Sequence, residues 1–217
     1  MKRFWRENSL SIVLLLLFAL FWIGQAVAGW RHEVHERRQH GEAAGGLSEY
    51  VVSGDFWEAT AENWESEFLQ MAAFVILTVF LRQKGSPESK PVEGDPELER
   101  PPRNKPGAPW PVARGGVALR IYENSLFLAL LGLFLFSFAM HVVAGARAFD
   151  EEQAQHGAAA VGTLGYLATS RFWFESFQNW QSEFLSVAVL AVLGIWLRQR
   201  GSPESKPVDA AHAANEA

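Results

Sequence analysis

Asn63-Trp64-Glu65-Ser66-Glu67-Phe68-Leu69 returns, with a single change, as Asn179-Trp180-Gln181-Ser182-Glu183-Phe184-Leu185. The same offset holds on either side. Glu7-Asn8-Ser9-Leu10 matches Glu123-Asn124-Ser125-Leu126, and the block from Gly85 to Val92 (Gly-Ser-Pro-Glu-Ser-Lys-Pro-Val) recurs from Gly201 to Val208. Positions 7–92 align on 123–208 without an insertion, and about half of them are identical, which marks an internal repeat.

Each copy contains two apolar segments. Leu10 to Ala28 has only Gln25 as a polar residue after Ser11, and Leu126 to Val143 has only Ser137 and His141. About 18 residues at 1.5 Å each just cross a hydrocarbon core of roughly 30 Å. Phe68–Leu81 and Phe184–Leu197 are shorter and approach spanning length once the preceding turn, from Trp64 and Trp180, is added. The expected fold is therefore an all-α membrane protein with four transmembrane helices, at about 9–29, 64–82, 124–146 and 180–198, arranged as two tandem helical hairpins.

Basic residues set the orientation. Lys2, Arg3 and Arg6 open the chain, eight Lys and Arg lie between Arg82 and Arg120, and Arg198, Arg200 and Lys206 close it, whereas the loops inside each copy carry few. Cytoplasmic segments keep such an excess, so both termini and the central connection are expected in the cytoplasm. The two copies then insert the same way up, a parallel repeat. The first apolar segment has features of a signal peptide, with Ala26-Val27-Ala28 before Gly29, but its length and its internal copy favour a retained helix.

The expected organisation is a first repeat at 1–84, a Pro-rich cytoplasmic linker at 85–119, a second repeat at 120–200 and a disordered cytoplasmic tail at 201–217. Eight of the ten Pro fall within 85–119, a composition that buries no core. No breaker interrupts Gly29 to His40, and Glu33 stands four residues before Arg37, so the first helix should extend beyond the membrane, as should 147–156. Aromatic residues at helical spacing, including Trp57, Trp64, Trp173 and Trp180, suggest interfacial anchors on helices that run along the outer surface and bend into the second crossing.

Composition excludes some classes. No Cys means no disulfide or thiol chemistry, and a net charge of −5 argues against a broadly basic nucleic-acid binder. No nucleotide-binding glycine loop, nucleophile elbow or paired metal motif is present.

A few polar residues remain as site candidates. Glu67 and Glu183, beside Ser66 and Ser182, lie in the first turn of the shorter segments, where intramembrane carboxylates suggest an ion or proton site. The helix dipole and headgroup water account for them more simply, without a site. His141, which matches Gln25, suits an interhelical hydrogen bond or a proton relay. His32, His35 and His40 offer a metal site on the outer face, although a solvated helix explains them too. The repeated Gly-Ser-Pro-Glu-Ser-Lys-Pro-Val suits a helix stop and membrane-boundary anchor, or a docking element for a cytoplasmic partner.

At Asn-Ser-Leu, Asn-Trp-x-Ser-Glu-Phe-Leu and Arg-Gln-(Lys/Arg)-Gly-Ser-Pro-Glu-Ser-Lys-Pro the chain resembles a family of small bacterial integral membrane proteins of unknown function, over nearly its whole length. The resemblance implies a bacterial inner-membrane location and lends no catalytic residue. The resulting expectation is a non-enzymatic membrane protein, structural or partner-interacting, with no cofactor. Its partners would be the lipid bilayer and a second copy or another membrane or cytoplasmic protein. A small transporter or channel with a polar site between the hairpins, and an outer-face metal-binding or membrane enzyme, are the alternatives.

Overall fold

The computed structural model describes residues 2–39, 41, 43 and 45–213. Every regular element among them is helical: α1 Lys2–Gln39, α2 Leu47–Tyr50, α3 Gly54–Phe80, α4 Pro96–Glu99, α5 Trp110–Arg114, α6 Gly116–Glu123, α7 Ser125–Gln155, α8 Gly162–Leu167 and α9 Ser170–Leu193. Among the described residues two helices are long and apolar enough to cross a membrane, Arg3–Gln39 within α1 and Ser125–Gln155. The four crossings expected from the sequence are thus two by this measure. α3 opens with Asp55, Glu58, Glu62, Glu65 and Glu67 before its apolar part, and α9 ends at Leu193, which shortens its own.

The aromatic segment of each copy differs from expectation in one respect. Instead of a surface helix bending into a second helix, each aromatic stretch is continuous with the apolar stretch that follows, in α3 and in α9. The reason is local, since neither Gly nor Pro interrupts the helix after its first residue. α1 likewise runs unbroken through Ala26-Val27-Ala28-Gly29 to Gln39, and α7 runs to Gln155.

The chain divides into two compact units, Met1–Ala61 with Met140–Thr169, and Glu62–Ala139 with Ser170–Ala217. In the first, small residues let elements touch at the backbone. A Cβ on Gly54 would lie 2.8 Å from the Ala148 nitrogen and 3.1 Å from the Ala144 carbonyl oxygen, so the start of α3 meets the end of α7 closely. The buried Tyr50 ring covers Gly29, and the buried Tyr166 ring covers Gly145, a pairing that recurs at matching sequence positions. Aromatic edges fill the space around them, Tyr50 on Phe56 at 5.7 Å and Trp22 on Trp57 at 6.2 Å between centroids. The α7–α8 connection is pinned by Asp150, whose Oδ1 accepts from the Val161 amide at 2.7 Å.

In the second unit the fully buried Phe172 packs edge-on against Phe138 at 5.5 Å. The repeated block folds into a cap in both copies. Arg82 Nη1 donates to the carbonyls of Val79 and Leu81, and Arg198 Nη1 to those of Gly194, Ile195 and Leu197, which satisfies acceptors that the helix ends leave open. The Gln83 amide donates to Ser89 Oγ at 2.7 Å and the Gln199 amide to Ser205 Oγ at 2.9 Å. Gly85 and Gly201 take φ of +83° to +85°, a backbone region that suits glycine. Pro87 sits close on Gly194, where a Cβ would come within 2.9 Å of its ring.

Candidate functional site

Buried polar groups of the first unit gather where α3 meets α7. Glu58 is one turn beyond Gly54, and His141 is one turn before Gly145. The close approach of the two helices at Gly54 and Ala144 therefore brings these side chains together. Glu58 is 7% exposed and His141 is fully buried, and their ligating atoms lie within 4.8 Å of each other. Tyr166, also fully buried, lies flat over Gly145 and donates its hydroxyl to Glu58 Oε1 at 2.8 Å. A neutral donor on a buried carboxylate both orients it and offsets part of its desolvation cost.

A second polar contact in this unit joins α1 to α3. Thr60, 1% exposed, accepts hydrogen bonds from Gln25 Nε2 at 3.2 Å and Trp22 Nε1 at 3.4 Å. Gln25 and His141 occupy matching sequence positions, so one position in each copy faces a buried polar environment. Near the carboxyl ends of α1 and α7 a cavity of about 470 Å³ is lined by Glu33, Glu36, Asp55, Glu151 and Glu152, with Arg37 as its guanidinium. Arg37 is already paired with Glu33 at 2.7 Å. The Tyr50 hydroxyl is held above its ordinary pKa by burial first, then by the charges of Asp55 and Glu33.

In the second unit Glu65 is fully buried and accepts from Trp180 Nε1 at 2.9 Å. Trp180 is packed among Trp173 and Phe177. Glu67 is exposed and Glu183 half-buried, and the charge of Glu67 acts on Glu183. Ser66 is buried and Ser182 exposed, and each donates to the backbone carbonyl three residues earlier, Asn63 and Asn179. Ser86 and Ser202 Oγ accept the amides of Glu88 and Glu204. Glu88 is held above the ordinary carboxylate range by burial first, then by the charge and hydrogen bond of Glu204, its counterpart in the other block.

Two of the histidines proposed for an outer metal site are among the described residues. His32 is exposed and pairs along α1 with Glu36 at 3.4 Å, and His35, also exposed, contacts Gln39 at 2.8 Å. His40 lies outside the described residues. Trp57 and Trp64 are half-buried, Trp57 against Trp22.

Of the candidates read from sequence, His141 belongs to the buried cluster, while its partners Glu58 and Tyr166 were missed. Glu58 aligns with Phe174 and so has no acidic counterpart in the second copy. The available signal was the recurrence of Gly and Tyr at 29/50 and 145/166, which marks a helix-to-ring contact beside the position of Gln25 and His141.

The residues thus describe an all-helical chain with two helices of membrane-spanning length and apolarity, and with carboxylates and an imidazole buried beside them. The chain belongs to the family described as Domain of unknown function (DUF6766), whose model matches residues 1–217. No curated protein and no solved structure matches it.

Proposed function

We propose that this protein is a multi-pass integral protein of the bacterial inner membrane, crossing four times as two tandem hairpins with both termini cytoplasmic. It acts through binding, as a structural or partner-interacting protein, rather than through covalent chemistry. One observation carries the membrane assignment. The most apolar window of α1 has none of its residues buried, and Leu14, Leu15, Leu16 and Leu17 are all exposed. Four successive residues at 100° steps reach around the whole helix. A core helix of a soluble protein would bury one stripe, so a helix bare on every side needs lipid around it.

The absence of Cys makes the test direct. Single cysteines at Ser48, Arg103 and Ala213 should resist alkaline extraction with the membrane fraction. An impermeant maleimide added to intact cells should label only the first. Release of the protein by alkaline carbonate would refute membrane integration. Labelling at Arg103 from outside would refute the parallel topology.

A second reading, a small transporter or channel, is supported by the charge of Glu67 acting on the half-buried Glu183. Cation or proton flux in proteoliposomes that is lost in the Glu67→Gln/Glu183→Gln double variant would favour it. Absence of flux in the wild type would dismiss it.

A further inference from the structure

We infer that Glu58 and His141 form a binding site for one first-row divalent metal ion, reached through the acidic cavity at the ends of α1 and α7.

Both side chains are at least nine-tenths buried, and their ligating atoms lie within 4.8 Å of each other. An ion about 2.0–2.2 Å from an imidazole nitrogen and from a carboxylate oxygen separates those atoms by roughly 3–4 Å. The spacing seen is therefore within a small rotamer adjustment of ligation. One imidazole and one carboxylate make a mixed donor set suited to Zn, Mn, Fe or Co, with water completing the coordination.

The surroundings supply what such a ligand pair requires. Tyr166 donates to Glu58 Oε1 at 2.8 Å, which orients the carboxylate, as a hydrogen-bonding group behind a metal ligand does. Tyr166 is itself immobilised over Gly145. Withdrawing a carboxylate from water is costly, and a dication offsets that cost directly.

The route in is built from the same two helices. Asp55, which lines the cavity of about 470 Å³, precedes Glu58 by three residues on α3. Ala148, which lines it too, follows His141 by two turns on α7. Both walls therefore lead down to the pair. Five carboxylates at the mouth, against one guanidinium already paired, attract cations and raise their local concentration.

The test uses the full chain in detergent after EDTA treatment. Wild type should bind one equivalent of Co²⁺, read by its visible absorption bands, and Zn²⁺ should displace it. His141→Gln and Glu58→Gln should each weaken binding by more than tenfold. Gln is chosen at 141 because Gln25 occupies the matching position in the first copy. Tyr166→Phe keeps the ring and should weaken binding by about tenfold, the size expected for a group that orients a ligand.

Helicity by circular dichroism controls for folding. Wild-type protein that takes up no stoichiometric Co²⁺, Zn²⁺ or Mn²⁺ overturns the site without any variant. So does binding that survives both Gln variants. Binding lost only in Asp55→Asn/Glu151→Gln would locate the ion at the cavity mouth, and would overturn it too.

Discussion

Gly145→Ala adds one methyl group at the point where α7 receives Tyr166. The new Cβ would sit 2.6 Å from both Cε1 and Oη of a fully buried ring, nearer than any real contact. The ring cannot swing into solvent, so it must shift, and its hydroxyl leaves Glu58 Oε1, now at 2.8 Å. Overpacking of this kind costs about 1–3 kcal/mol, and a hydrogen bond to a charged group is worth about 1.5–3 kcal/mol. Replacing Gly by Ala in a helix returns about 1 kcal/mol. The expected net loss is therefore roughly 1.5–5 kcal/mol, combining these ranges.

Gly24 and Gly132 provide the control, because a Cβ at either meets nothing within 4 Å. Ala at those positions should stabilise by up to about 1 kcal/mol. The assay is the midpoint of thermal or chemical unfolding in detergent. A Tyr166→Phe/Gly145→Ala double variant should cost less than the sum of its parts, since both changes remove the same hydrogen bond. Gly145→Ala matching Gly132→Ala in sign and size would refute the close packing of Tyr166 on α7 and the geometry built on it.

Thr60→Val keeps the shape but removes the acceptor shared by Gln25 and Trp22, and should cost about 1–2 kcal/mol, measured by the same unfolding midpoint. No change would mean that α1 is not tied to α3 there. Glu88 has a folded-state pKa above its unfolded value, so its contribution to stability is full at acid pH and is lost as pH rises through that raised value. The wild-type midpoint should therefore rise as pH falls from neutral into the upper carboxylate range, and Glu88→Gln should flatten that slope; parallel curves would contradict it. Arg198 ties Gly194, Ile195, Leu197, Pro207 and Ala210 together, so Arg198→Ala should speed amide exchange over 199–210 while leaving α7 unchanged. Unchanged protection there would show that the cap does not depend on this guanidinium.

The sequence alone determined what depends on local composition and period. The apolar runs at 10–28 and 126–143 specify helices because nothing in them breaks the 3.6-residue turn or competes for its hydrogen bonds, and an unbroken run from Gly29 to Gln39 carries α1 past them. The repeated block pointed to helix stops at Gly85 and Gly201 through glycine and the nearby proline, whereas α3 and α9 end earlier, at Phe80 and Leu193. What it could not announce was partnership. The buried pair of Glu58 and His141 arises from residues far apart in the chain, brought together because Gly54 and Gly145 have no side chain to keep α3, α7 and α8 apart. The two arginines at the repeated blocks read as boundary charges, whereas in the fold they turn back onto backbone carbonyls at or just beyond the ends of α3 and α9. Period and breakers act between neighbours along the chain, but burial and hydrogen-bond partners are set by close approach in space. Tertiary packing alone decides which of several matching carboxylates is withdrawn from water.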